Sequence, residues 1–250
     1  MTDKPLIGIL GGMGTSAGLY FQNLFFELCN QRGISGDQNY PEWLYLNASL
    51  APDRTAAIKG EGDSPVPYLI SMLKKMQSAG VTAVVVTCNT AHVFFEEIIS
   101  EVSLPWIHLP FETSLMLQKN SISKIGLLTT EGTLISGIYR KTFSKTGIQV
   151  IEPSFGSALQ TKVMDAIYNK NYGIKYTGSQ LSDEAKQQII QAVKELNVNN
   201  ILIGCTELSL AFSHIDLPLK TFDPMKIAAQ SLFDVWNGSR SLESLKPSLT

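Results

Sequence analysis

Ala83-Val84-Val85-Val86-Thr87-Cys88-Asn89-Thr90-Ala91-His92 is a continuous apolar run that ends in a cysteine and then small polar residues. An apolar run without alternation is the pattern of a strand buried on both faces, as in a parallel sheet. Ile201-Leu202-Ile203-Gly204-Cys205-Thr206-Glu207-Leu208 repeats the pattern, again with a cysteine where the strand should end. Working outward, Leu6-Ile7-Gly8-Ile9-Leu10-Gly11 resembles Lys124-Ile125-Gly126-Leu127-Leu128-Thr129, and Gly8 precedes Cys88 by 80 positions where Gly126 precedes Cys205 by 79. Leu104-Pro105 and Pro110 are echoed by Leu217-Pro218 and Pro224. A repeat this long is not a solenoid period. It predicts two similar, pseudo-symmetric α/β domains, each a mostly parallel sheet flanked by helices, with the functional site in the cleft between them.

Composition sets limits on what the chain can be. Its 250 residues suffice for two domains of ordinary size, and 44% hydrophobic with only 17% charged residues supports real cores. A net charge of −2 without a basic run makes nucleic acid and anionic membrane poor partners. No apolar stretch approaches the roughly 18 residues of a membrane span, and the chain enters a strand directly after Met1-Thr2-Asp3-Lys4-Pro5. The expectation is a cytoplasmic protein without a signal peptide, its thiols kept reduced.

Strand and helix patterns alternate along the chain, as parallel sheets require. Strands are predicted at 6–10, 43–47, 81–87, 125–129, 148–152 and from 201. Helices are predicted at 16–32, 65–79, 134–145, 182–196 and 226–236, the last crossing back on to the first domain. The domains are read as 1–113 with 224–250, and 114–223. The tail 239–250 is expected to fray.

The cysteines carry the chemistry. A free cysteine is commonly a small buried hydrophobe, and Cys29, on a helix beside Phe25, Phe26 and Leu28, reads that way. Cys88 and Cys205 differ because their settings match. Each sits at a strand end ahead of a possible helix, where the positive end of the macrodipole favours thiolate. Two thiols facing across a cleft suit removal of a proton from one face of a carbon and its return to the other. Gly12-Met13-Gly14-Thr15-Ser16-Ala17 fits a permissive dinucleotide pattern, but the second strand lacks the acidic residue that would hold a ribose. A phosphate-loop Gly-Lys-Ser/Thr is absent too, and Cys and His show no zinc-ligand spacing, so no cofactor and no metal are expected. The glycine loop reads instead as a close-approach turn whose amides meet a small anion. Among four arginines, Arg54 alone follows a strand end on the rim of the two thiols, where it suits bidentate capture of a carboxylate. Lys175 falls in a segment able to lie over the cleft.

Five ordered motifs now resemble the aspartate racemase branch of the aspartate/glutamate racemase family: Ile7 to Gly14, Pro52 to Thr55, Cys88 to His92, Gly132 to Tyr139 and Gly204 to Glu207. The resemblance spans nearly the whole chain. It implies a homodimer and racemisation without pyridoxal phosphate, with Cys88 and Cys205 as the catalytic pair. It places substrate contacts at Met13, Arg54, Asn89, Thr90, Thr130, Thr133, Lys175, Thr206 and Glu207, and makes aspartate the expected substrate. Glu207 either raises the pKa of its neighbouring thiol or relays a proton, and the sequence leaves both open.

Other readings stay open beside this one: an aspartate/glutamate or broader amino-acid racemase, a maleate isomerase-like enzyme, or a module that binds an acidic amino acid without turning it over. A single-cysteine decarboxylase is disfavoured by the pair. Cell-wall glutamate racemase is disfavoured because Gly-Gly-Met-Gly replaces its Asp-Ser-Gly start.

Overall fold

The computed structural model describes residues 4–178 and 180–245. Residues 1–3, Ser179 and the last five positions of the tail lie outside the described residues. The first half runs β1 (Ile7–Gly11), α1 (Thr15–Gln31), β2 (Trp43–Asn47), α2 (Arg54–Lys59), α3 (Val66–Ser78), β3 (Ala83–Val86), α4 (Phe95–Ile99), β4 (Trp106–Ile107) and α5 (Leu109–Lys119). The second runs β5 (Lys124–Leu128), α6 (Glu131–Ser136), α7 (Ile138–Ser144), β6 (Gln149–Ile151), α8 (Ala158–Tyr168), α9 (Ile174–Thr177), α10 (Asp183–Leu196), β7 (Asn200–Ile203), α11 (Thr206–Phe212) and β8 (Lys220–Phe222), before α12 (Pro224–Trp236).

The strands form two four-stranded sheets of identical topology, β2-β1-β3-β4 and β6-β5-β7-β8, parallel throughout. The apolar runs explain this: β1 and β3 are buried at every position, and such strands are stable only between two helical layers. One layer on the first sheet is α1 with α12, whose Met225, Ala228 and Leu232 join Phe21, Phe25 and Cys29 in one cluster. The other is α3 with α4, through Leu69, Leu73, Met76 and Ile98. In each sheet the chain first steps to one side and then crosses to the other, so β1/β3 and β5/β7 are switch points. Ligands in such sheets bind outside the carboxyl ends of the strands at these points.

Several local expectations need correction. The helix read at 134–145 is two helices, because Gly137 takes a left-handed φ of 63° that ends α6 and redirects α7. The residues after Cys88 form a tight 3-10 turn over Thr90–Phe94 before α4 begins. Residues 239–245 do not fray: Arg240 makes two hydrogen bonds, at 2.6 and 2.8 Å, to the buried Glu112 carboxylate, and Leu245 is buried. α2, α5, α8, α9, the two-residue β4 and β8 fall outside the predicted elements.

Candidate active site

All four switch-point strands end at one cleft. β1 delivers Met13, β3 delivers Cys88, Asn89 and Thr90, β5 delivers Thr130, and β7 delivers Cys205, Thr206 and Glu207. Arg54 enters from the start of α2, Tyr168 from the end of α8 and Lys175 from α9. The structure thus gathers ten of the eleven residues singled out in the sequence. Thr133 stands just behind the lining, with its Oγ1 2.9 Å from that of Thr90. Thr90 also meets Thr130 at 3.0 Å, so three hydroxyls join across the seam between the two halves.

Tyr168 and Tyr139 escaped the sequence reading as site residues. Tyr168 is an ordinary apolar position of α8 until the fold brings α8 to the cleft, where its hydroxyl reaches Asp53 Oδ2 at 3.5 Å. Tyr139 is fully buried in the core of the second half, yet its hydroxyl donates to Asn89 Oδ1. The motif Gly132 to Tyr139 contained it, but nothing local showed which way it would point.

The two thiols have unlike neighbours. The Cys205 Sγ–H donates to Glu207 Oε2 at 3.1 Å, and burial followed by the Glu207 charge holds its pKa well above the usual thiol value. The helix-dipole expectation therefore fails at Cys205: the field at the start of a seven-residue helix is outweighed by desolvation and an adjacent carboxylate. Glu207 uses this contact in both roles considered for it, raising the pKa of the thiol and relaying its proton. Its own burial disfavours charge, but the Lys175 ammonium, 2.8 Å from Oε1, more than offsets this and holds its pKa below the ordinary value. Gly14 makes room for the arrangement, since a Cβ there would lie 2.8 Å from Glu207 Oε1.

Cys88 instead faces Arg54. Burial works against the Arg54 cation, and the attraction of Cys88 and Asp53 overcomes it, leaving the pKa raised. The expected free fork is only partly available. Nη1 donates to the carbonyls of Ala51 and Pro52 at 3.1 and 2.8 Å, and Nη2 to that of Met13 at 3.0 Å. Nε is buried with no partner among the described residues. Arg54 is also the first residue of a helix capped by Asp53, not a loop residue. The glycine loop turns the Met13 carbonyl towards both cations, Lys175 Nζ lying 3.4 Å from it, so it offers an acceptor where an amide donor was expected.

The space left inside is about 10 Å³, room for a single water. The cleft is closed around its own side chains. Among the described residues no group of three or more His, Cys, Asp and Glu is placed to hold a metal, and no helix is long and apolar enough to cross a membrane.

Comparison with known proteins gives the family and the fold. A broad specificity amino-acid racemase, RacX, of Bacillus subtilis (strain 168) is 27% identical over 227 residues, covering 90% of this chain and 96% of its own. The structure of Picrophilus torridus aspartate racemase superposes with a TM-score of 0.81 at 25% identity, covering 93% and 94% of the two chains. A glutamate racemase isoform of Bacillus anthracis shares the fold at 18% identity, with a TM-score of 0.64 over 94% of this chain and 82% of that one. The model of the Asp/Glu/hydantoin racemase family matches residues 10–232. With one continuous match over most of its length, and two thiols at equivalent strand ends of a duplicated fold, the chain belongs to the Asp/Glu/hydantoin racemase family.

Proposed function

We propose that the protein is a cofactor-independent amino-acid racemase that interconverts L- and D-aspartate by proton transfer between Cys88 and Cys205. The observation that carries this is the placement of two buried thiols at equivalent switch points, in one cleft, with opposite charges beside them. Turnover in one direction starts from Cys205 as the thiol, its Sγ–H donating to Glu207, with Cys88 beside Arg54 as the base. Cys88 takes the α-hydrogen as a proton, and the electron pair moves into the α-carboxylate. Cys205 returns a proton to the opposite face, which leaves the two sulfurs with exchanged charge. The α-hydrogen is so weak an acid that orientation and hydrogen bonds to the developing enediolate must supply most of the acceleration.

An acidic side chain is favoured because Lys175 already pairs with a carboxylate in this cleft. The substrate's side-chain carboxylate takes the place of Glu207 on that ammonium, and Arg54 Nε is a further donor. The similarity to a broad specificity racemase favours some turnover of other amino acids. The same reading divides the chain into 1–113 with 224–250, and 114–223. It makes the working protein a homodimer in the cytoplasm, the latter supported by three buried unpaired cysteines.

The test is solvent deuterium wash-in at the α-carbon together with kinetics on aspartate, glutamate, asparagine and alanine. We expect wash-in with aspartate, weaker turnover of glutamate and poor turnover of the neutral pair. Cys88→Ala and Cys205→Ala should each abolish racemisation. Absence of wash-in from every amino acid would end the racemase reading, and equal kcat/KM for aspartate and alanine would end the aspartate assignment.

A further inference from the structure

Asn89 follows Cys88, lines the cleft and is 2% exposed. Its side chain is a primary amide, with an acceptor at Oδ1 and two N–H donors at Nδ2. An amide of this kind is useful to a carboxylate only if the nitrogen faces it, so something must fix which end points where. Tyr139 is the group in contact. Its hydroxyl meets Oδ1, while Nδ2 is buried with no partner among the described residues.

Three features hold the Tyr139 O–H at this end of the amide. Its ring is held in the core of the second half beside Phe143, at 5.6 Å between centroids, which fixes where the hydroxyl stands. Gly137, with its left-handed φ, separates α6 from α7 and so sets the angle at which α7 delivers the ring. Burial, then the charge of Asp223, pushes the phenol well above its ordinary pKa, so the O–H is retained at any working pH. With that O–H given to Oδ1, the amide presents its Nδ2 donors to whatever enters the cleft.

We propose that Tyr139 is a positioning residue for racemisation: its hydroxyl orients the Asn89 amide so that Nδ2, not Oδ1, is the end offered to the substrate's α-carboxylate. This rests on the racemase reading. Charge flows on to the α-carboxylate as the proton leaves, so a donor held there strengthens on the way to the transition state. Loss of the orientation therefore lowers kcat as well as raising KM.

The experiment is a double-mutant cycle on the full chain with aspartate, using Tyr139→Phe, which keeps the ring, and Asn89→Ala. We expect Y139F to lower kcat/KM about 10- to 100-fold in the wild-type background and less than about twofold in the N89A background. An effect of Y139F in both backgrounds alike would overturn the proposal, because the tyrosine would then act on the fold and not through Asn89. Less than a twofold effect in the wild type would overturn it too. Asn89→Asp gives a test independent of how Y139F folds. It keeps an acceptor for Tyr139 and removes the Nδ2 donors, so its activity should fall at least as far as that of N89A. An N89D enzyme within twofold of wild type would overturn the assignment. Absence of wash-in from the wild type would instead bring down the racemase reading itself, which separates the two failures.

Discussion

Glu207 acts on three groups at once: it accepts from Cys205 at 3.1 Å and from Thr206 Oγ1 at 3.3 Å, and it pairs with Lys175 at 2.8 Å. Replacing its carboxylate by an amide removes the charge that opposes the Cys205 thiolate and frees an ammonium that favours it. In Glu207→Gln the midpoint of Cys205 alkylation by iodoacetamide, followed by peptide mass, should therefore move to lower pH. An unmoved midpoint would show that burial alone sets the thiol. At this scale the sequence was most legible where the residue type is rare and local. A cysteine at the end of an apolar run can be read from ten letters, and so can the Asn, Thr and Glu that follow. The use of Arg54 could not be, because its acceptors are the backbone carbonyls of Ala51, Pro52 and Met13, which only the fold assembles.

His92, in the 3-10 turn between β3 and α4, ties the Cys88 strand end to β4. Its Nδ1 donates to the Cys88 carbonyl at 2.8 Å, and its Nε2 accepts from Trp106 Nε1 at 3.1 Å. Burial, the largest influence, pushes its pKa down to about 4 from the ordinary 6.5, and His108 beside it is lowered in the same direction. The folded state holds these rings neutral, and the unfolded state protonates them below about pH 6.5. Their contribution is thus full above that pH and is lost as pH falls towards about 4, at about 3 kcal/mol for His92. Urea unfolding across pH 4 to 7.5 should show the loss, and His92→Phe should be less stable at pH 7.5 but flatter with pH. An equally steep profile in the variant would assign the acid sensitivity elsewhere. Elements with strong periodicity or continuous apolar runs were the legible ones. The α6–α7 break was hidden because apolar spacing carries through Gly137, and β4 because two residues between Pro105 and His108 leave no period to see.

Across the whole molecule the two halves meet where Gly132 of α6 presses on α2. A Cβ at 132 would lie 2.9 Å from Thr55 Cα and 2.8 Å from its Oγ1, so backbone must move to admit one. Gly132→Ala should cost about 1–3 kcal/mol of stability and lower kcat/KM by shifting the Thr90–Thr130 contact, measured by urea unfolding and by turnover of aspartate. Full activity with unchanged stability would mean that the seam is softer than its contacts suggest. Another feature bears on how the protein is made. The first sheet is roofed by α12, whose Met225, Ala228 and Leu232 lie in the same cluster as Ile7 and Ile9. Chains usually fold from the end that leaves the ribosome first. Here the first-made strands lack their roof until residue 236 has emerged, whereas every strand from β5 to β8 precedes it. The later half of the nascent chain is thus the earlier to have both helical layers in place, and the first half is roofed only after the second has been made.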